Sequence, residues 1–346
     1  MPHTIVVTGA TGFVGSHVLE ELSRIGHHDL RIIAACRDRR KLIANYDGEI
    51  REGDLRDPDY MDRVLTGADI VCHCAAWTSL WGKRRESDQL FLQPSLNIIQ
   101  KALEWKLKRF VFISTTSAAA PQHSHEALSH GIPRRYWPHL DNVIKIENAM
   151  RENAHRGMAM VNLRCGLFAG ERYALGLLPI LLPRLKTRLV PWVKSGRTGL
   201  PIIDGRDIGQ AVVRAALAPL SMSYTGLNIV GPEVPTAREV INYICENYAY
   251  PKPVYSVPFP LAYSFAWLME MIDRLAPWEP LVTRSIIHLL EETSADNAQA
   301  LETIGYSAEI HWKEAIDRQM QSMKKNQFTA MKMHRPIRPL SSDADK

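Results

Sequence analysis

The stretch Thr8-Gly9-Ala10-Thr11-Gly12-Phe13-Val14-Gly15 decides the fold. An apolar run over 5–8 leads into it and a helical pattern over 16–25 leaves it. Glycines at these spacings let the chain turn tightly and let backbone N–H groups approach a pyrophosphate, while Gly15 lets the helix pack closely on the strand. The start of the helix adds roughly half a positive charge facing the phosphates. Because strand, spacing and helix agree, the stretch predicts a dinucleotide site whose turn is made by Gly9, Thr11, Gly12, Phe13, Val14 and Gly15.

Outward from that turn, apolar runs over 5–8, 30–36, 50–53, 69–74, 110–114 and 160–164 read as strands. Helical patterns over 16–25, 59–65, 90–105 and 143–155 lie between them. Strands spaced by helices imply right-handed crossovers and a parallel sheet covered on both faces, a Rossmann-type doubly wound α/β fold. From residue 171 the pattern loosens and prolines punctuate it, from Pro179 to Pro260. Helices return at 207–217, 236–248, 260–275 and 312–323. The expected organisation is a dinucleotide-binding domain over 1–170, rejoined by 200–231. A smaller, mostly helical substrate part takes 171–199 and 232–325, and a basic, disordered tail takes 326–346.

The composition fits an ordinary soluble globule of 346 residues, 46% hydrophobic and 23% charged, which excludes a coiled coil, a collagen-like repeat and a disordered chain. No run reaches the ~18 apolar residues that a membrane span needs. The start Met-Pro-His-Thr-Ile-Val-Val enters a strand at once, so no signal peptide is expected and the cytoplasm is the default compartment. Of the net charge of +5, the tail from Met323 holds +4, with six basic residues against Asp343 and Asp345. The near-neutral remainder argues against a nucleic-acid-binding globule. Five scattered cysteines (Cys36, Cys72, Cys74, Cys165, Cys245) form neither a zinc spacing nor a disulfide framework, and read as buried thiols.

The second strand ends at Cys36-Arg37-Asp38, with Arg37 standing 22 residues after Gly15. An arginine there favours the 2′-phosphate of NADP(H), whereas an acid would take the ribose hydroxyl of NAD. Arg37 therefore points to NADP(H), and Asp38, one place along, keeps NAD(H) open. Gly53-Asp54-Leu55 closes the third strand and places Asp54 either near the adenine amine or as a cap of its own loop.

The glycine turn, together with Gly53-Asp54-Leu55 and His73-Cys74-Ala75-Ala76, resembles the extended short-chain dehydrogenase/reductases of epimerase/dehydratase type. Phe110-Val111-Phe112-Ile113-Ser114-Thr115, Leu163-Arg164-Cys165-Gly166 and the segment 204–207 extend the likeness from residue 4 to about residue 320. Trp81-Gly82, Asn228-Ile229-Val230-Gly231-Pro232 and Ala300-Leu301 ahead of Gly305-Tyr306 make it most similar to the 3β-hydroxysteroid dehydrogenase and ketone reductase branch. The resemblance implies a nicotinamide across the C-terminal edge of the sheet beside Ala75 and Ala76, with substrate held above it. It also implies a dimer, a Ser or Thr bonding the reacting oxygen, a Tyr exchanging its proton, and a Lys four residues later that lowers the Tyr pKa.

Thr115 falls on the Ser/Thr position, with Thr116 and Ser117 beside it; a strand-end threonine bonding to backbone is the bland alternative. The Tyr-x-x-x-Lys pair is missing from its window. Only Tyr248 and Lys252 have that spacing, and they lie in the wrong part of the chain. Tyr136 serves as the acid with His139 or Lys145 supplying charge, or Asp141 replaces the acid and Lys145 alone survives, or no dyad exists; for Tyr136 itself a packed loop aromatic is the bland alternative. The segment 122–139 is rich in His and Arg (His123, His125, His130, Arg134, Arg135, His139), but spacing places no third metal ligand, and a polar loop beside the substrate is the expectation.

Together these readings predict an NADP(H)-dependent oxidoreductase acting on a ketone or secondary alcohol, lipidic or steroid-like, with Thr115, Tyr136 and Lys145 as catalytic candidates. A nucleotide-sugar epimerase or dehydratase is the runner-up. A dinucleotide-binding protein without turnover is the third reading. Residues 177–182 and 259–272 are expected either to line a greasy pocket or to fill core.

Overall fold

The computed structural model describes residues 3–26, 29–118, 136–220, 223–273, 280–290 and 295–333. Eleven strands are described: β1 (His3–Thr8), β2 (Leu30–Cys36), β3 (Glu49–Glu52), β4 (Ile70–His73), β5 (Arg109–Thr115), β6 (Ala159–Cys165), β7 (Leu167–Ala169), β8 (Trp192–Val193), β9 (Ile202–Asp204), β10 (Tyr224–Ile229) and β11 (Ser256–Val257). The helices of the first half are α1 (Phe13–Ile25), α2 (Pro58–Leu65), α3 (Arg84–Ser87), α4 (Gln93–Glu104) and α5 (Pro138–Asn153). Those of the second half are α6 (Leu177–Lys186), α7 (Gly205–Leu217), α8 (Ala237–Tyr248), α9 (Phe259–Asp273), α10 (Arg284–His288), α11 (Ala298–Ile304) and α12 (Trp312–Met333).

Seven strands form one sheet in the order β10-β6-β5-β4-β1-β2-β3, and every pairing is parallel. The strand order reverses between β1 and β4, which opens a crevice at the carboxyl ends of the strands. The continuous apolar character of the strands follows from cover on both faces. Ile5 and Val7 of β1 point to the layer of α1 and α7, against Val18, Leu22, Ile208 and Val212. Val6, Ile33, Val71 and Phe110 point the other way, against Val64, Ile98, Leu140 and Ile146 of α2, α4 and α5. Alternation along each strand thus feeds two cores from one sheet. The doubly wound α/β fold expected from the sequence is the fold observed.

The second half packs around a third core, where Leu178, Leu182 and Leu185 of α6 meet Val240 and Ile244 of α8 and Trp312 and Ile316 of α12. Pro179 sits in the first turn of α6, where the missing N–H is no loss, whereas Pro183 lies inside the helix and removes one of its backbone hydrogen bonds. Thr236 and Glu239 form a reciprocal capping box that starts α8.

The largest departure from the expected elements is α5. The pattern predicts a helix from 143, but the helix begins five residues earlier, with Pro138 in its first turn and Asp141 close behind. Proline at the start of a helix is favourable, so Trp137-Pro138 marks an entry rather than a loop. The correction places His139 on a helix.

Candidate active site

Gly9 holds φ +63, and a Cβ there would collide with the backbone of Ala75, so the turns after β1 and β4 lie back to back. A Cβ on Gly15 would collide with the Gly9 carbonyl, so α1 packs directly on its own turn. Gly12 is the N-cap of α1, and among the described residues no side chain caps the first turn. The free N–H groups and the close backbone approach fit a dinucleotide diphosphate. Thr8 Oγ1 bonds His73 Nδ1 at 2.9 Å and His73 Nε2 bonds Ser95 Oγ at 3.0 Å, which pins β1, β4 and α4 below the crevice. Burial pushes His73 down to about 4, so it serves as a neutral peg.

At the end of β2, Arg37 is exposed. Asp38 accepts from the Arg40 N–H at 3.1 Å and from its guanidinium at 2.8 Å, capping the turn Arg39–Lys41. Asp54 is held in the same way by Arg56, whose N–H it accepts at 2.9 Å. The loop-capping alternative for Asp54 is therefore what its hydrogen bonds describe. Leu55 packs against the core of the α2 and α4 layer.

A cavity of about 1440 Å³ runs from this crest into the second half. Val14, Ala75, Ala76, Thr115 and Gly166 line its sheet end, and Trp81, Leu177, Ile180, Leu261 and Phe265 line its far wall. Both greasy segments read from the sequence contribute to it. Thr115 Oγ1 accepts from the Ser117 N–H at 3.2 Å, so this threonine both faces the cavity and bonds to backbone.

The orientation of α5 is held by its buried face, Leu140, Ile146 and Met150, and by a buried ion pair. Glu147 Oε2 accepts from Arg164 Nη2 at 2.9 Å, with their side chains 5% and 7% exposed, and Ser114 Oγ donates to Glu147 Oε1. This ties α5 to β5 and β6. One and two turns back along the same helical face stand Val143 and His139, and both line the cavity. Burial pushes His139 down to about 4, against the opposing effect of its hydrogen bond to the Trp77 backbone. Its Nδ1 is buried without a hydrogen-bond partner among the described residues.

Of the three catalytic candidates, the structure brings only Thr115 to the cavity. Tyr136 stacks on His288 with ring centroids 5.7 Å apart, and the Arg284 guanidinium lies 3.9 Å from its ring centroid. It does not belong to the cavity wall among the described residues. Lys145 is 47% exposed and pairs with Asp141 at 3.0 Å. It lies two residues beyond Val143, hence about 200° around the helix from the cavity-facing side. Burial raises the Asp141 pKa, but hydrogen bonds from Arg84 and Lys145 outweigh that and hold its carboxyl below the usual range. The sequence placed His139 in a polar loop beside the substrate; the structure places it on α5 at the cavity, next to Val143, which sequence reasoning missed, and the start of α5 at Pro138 was the signal that would have found the pair. His123, His125, His130, Arg134, Arg135 and the tail beyond 333 lie outside the described residues.

The fold and crevice define a dinucleotide-binding α/β protein of the extended short-chain type. Residues 5–229 match the model of the NAD dependent epimerase/dehydratase family, and the chain belongs to that family. It is 24% identical over 340 residues to 2-alkyl-3-oxoalkanoate reductase of Shewanella oneidensis, covering 90% of this chain and 84% of that relative. It is also 24% identical over 358 residues to 3beta-hydroxysteroid-dehydrogenase/decarboxylase isoform 1 of Arabidopsis thaliana, covering 92% and 79%. Among solved structures, gox2253 superposes with a TM-score of 0.72 at 21% identity, over 93% of this chain and 98% of that one. MoeE5 in complex with UDP-glucuronic acid and NAD superposes at 0.68 with 20% identity, over 93% and 99%. The family's oxidoreductase relatives and the expected superfamily agree.

Proposed function

We propose that this protein is an NADP(H)-dependent oxidoreductase that interconverts a ketone and a secondary alcohol on a substrate with a bulky apolar body. The observation that carries the reading is the continuous cavity joining the glycine turn and Thr115 to walls of Leu, Trp and Phe side chains. Such a surface favours an aliphatic or steroid-like body and offers few partners to a sugar nucleotide. The relatives named for reducing 3-oxoalkanoates and oxidising 3β-hydroxysteroids support the same choice. For the cofactor, Arg37 is exposed at the end of β2 while Asp38 is engaged by Arg40, which supports a 2′-phosphate.

A bound nicotinamide supplies the hydride chemistry. Thr115 Oγ1 hydrogen-bonds the substrate oxygen. His139 takes the role that the resemblance gives to tyrosine. The neutral imidazole of this cavity-lining residue is the acceptor for the proton of a substrate alcohol. The exchange of the pair is chemically consistent. A phenol of pKa ~10 needs a neighbouring cation to act near neutrality, whereas an imidazole does not, and Val143 stands where that cation would be.

Fluorescence titration with NADPH and NADH tests the cofactor, and a tenfold preference for NADH would count against the role of Arg37. Turnover on a panel of long-chain ketones, hydroxysteroids and nucleotide sugars tests the substrate. His139→Gln is expected to lower kcat by about 10²- to 10⁴-fold with NADPH affinity kept. In the wild type, ketone reduction should accelerate as pH falls from 7 towards 5, because the reverse step draws on the imidazolium. A pH-independent reduction rate in that window would remove His139 from the chemistry, and binding without turnover across the panel would favour a non-catalytic dinucleotide protein.

A further inference from the structure

The helix α9 is apolar on both faces. Its inner side carries Phe259, Ala262 and Ala266, while Leu261, Phe265, Leu268 and Ile272 form an outward stripe at helical spacing. Phe265 is 50% exposed and Leu261 59%. A helix that is hydrophobic all round is ordinarily covered on every side. The carboxylates of α9 are not on this stripe: Glu270 is buried against Arg284, and Asp273 accepts from Trp81 Nε1 at 2.7 Å.

Two observations identify what covers the stripe. Leu261, Phe265 and Leu281 are both exposed and part of the cavity lining, so the stripe is the rim of the cavity mouth and continues its apolar surface outward. The stretch 172–203 holds six Arg or Lys residues and no Asp or Glu; of the six, Arg172 is paired with Glu20 of α1 and Arg184 with backbone carbonyls. It is bound to that rim, since Arg184 Nε donates to the Leu281 carbonyl at 2.8 Å and the Tyr255 hydroxyl donates to the Leu189 carbonyl at 2.6 Å. Lys186 and Arg188 are exposed there.

We propose that α9 and this basic rim dock on an anionic lipid surface, so that the cavity opens onto the acyl region. An apolar stripe flanked by cations matches a helix lying in the membrane interface. At 15 residues, about 22 Å, α9 is too short to span, and no helix among the described residues is long and apolar enough to cross a membrane. A second copy is the poorer occupant, because a twofold contact would set two equally basic rims together and seal both mouths.

The test is co-sedimentation of the full chain, without dinucleotide or substrate, with vesicles of phosphatidylcholine alone or mixed equally with phosphatidylglycerol. Mixed vesicles are expected to pellet about fivefold more protein than neutral ones, and Lys186→Glu with Arg188→Glu should abolish the preference. Phe265→Asp with Leu268→Asp should reduce pelleting about tenfold while far-UV dichroism is unchanged. Should that pair misfold, Trp267, 48% exposed on α9, reads the same contact: quenching of wild-type Trp fluorescence by brominated lipid should diminish in Trp267→Phe. A wild type that stays in the supernatant with both vesicles overturns the proposal, as does a dimer in solution that the Phe265 and Leu268 pair dissociates without any vesicle binding. Because neither cofactor nor substrate is present, failure here leaves the oxidoreductase reading untouched, and failure of NADPH binding leaves this one untouched.

Discussion

The crest around Gly9 and the cavity-facing side of α5 meet in one site, yet they are built by opposite means. At the crest the backbone does the work: Gly9 and Gly15 stand so close to neighbouring main-chain atoms that any side chain would collide with them. On α5 the backbone is an ordinary helix, and its function depends on which side chains its buried face and one buried ion pair turn inward. Chemistry written in the backbone leaves a residue-type signature in the sequence. Chemistry written in orientation leaves none until the helix is anchored.

The sharpest way to break that anchor is Glu147→Ala. Arg164 would stay buried without its carboxylate partner Glu147, so we expect a loss of about 3–5 kcal/mol in urea unfolding and, on the proposed role of His139, a fall in turnover as that ring is displaced. A second measurement addresses the imidazole itself. With its pKa pushed to about 4 in the folded chain, His139 resists protonation that the unfolded chain accepts below its ordinary value near 6.5. The unfolded state then binds more protons, so stability falls as pH drops through that window. His139→Phe should remove about 2 kcal/mol of this acid sensitivity, seen as a smaller difference in unfolding free energy between pH 7 and pH 4.5.

On the crest, Gly9→Val is expected to weaken dinucleotide binding at least tenfold, about 1.4 kcal/mol, in a fluorescence titration, because the turn must open to clear Ala75. The smallest effects belong to the residues outside the cavity wall. Lys145→Ala loses only a half-exposed pair with Asp141, so a stability change below about 1 kcal/mol is expected, with turnover altered less than twofold. Tyr136→Phe keeps the ring stacked on His288 and should also leave turnover within about twofold. A tenfold loss in either variant would reverse the contrast between the two faces of α5.

The seven-stranded parallel sheet was legible because a strand covered on both faces is apolar at every position, as Ile5, Val6 and Val7 show. The start of α5 was harder to read. Trp137-Pro138 looks like a loop in isolation and becomes a helix entry only with the apolar spacing of Leu140, Val143, Ile146 and Met150 behind it. Asp38 and Asp54 show the same limit on the cofactor side: their positions are visible in the sequence, but their engagement by Arg40 and Arg56 is not.

The doubly wound fold and the family could be read from residue type and spacing, because steric exclusion at glycines and two-sided burial of strands are properties of both. That His139 and Val143 line the cavity, and Tyr136 and Lys145 do not, emerges from packing alone. The physical reason is that a helix presents about one residue in four to any neighbour. Which residues those are depends on the buried face of α5 and on the contact between Glu147 and Arg164, seventeen positions apart and joined only when α5 lies against β6.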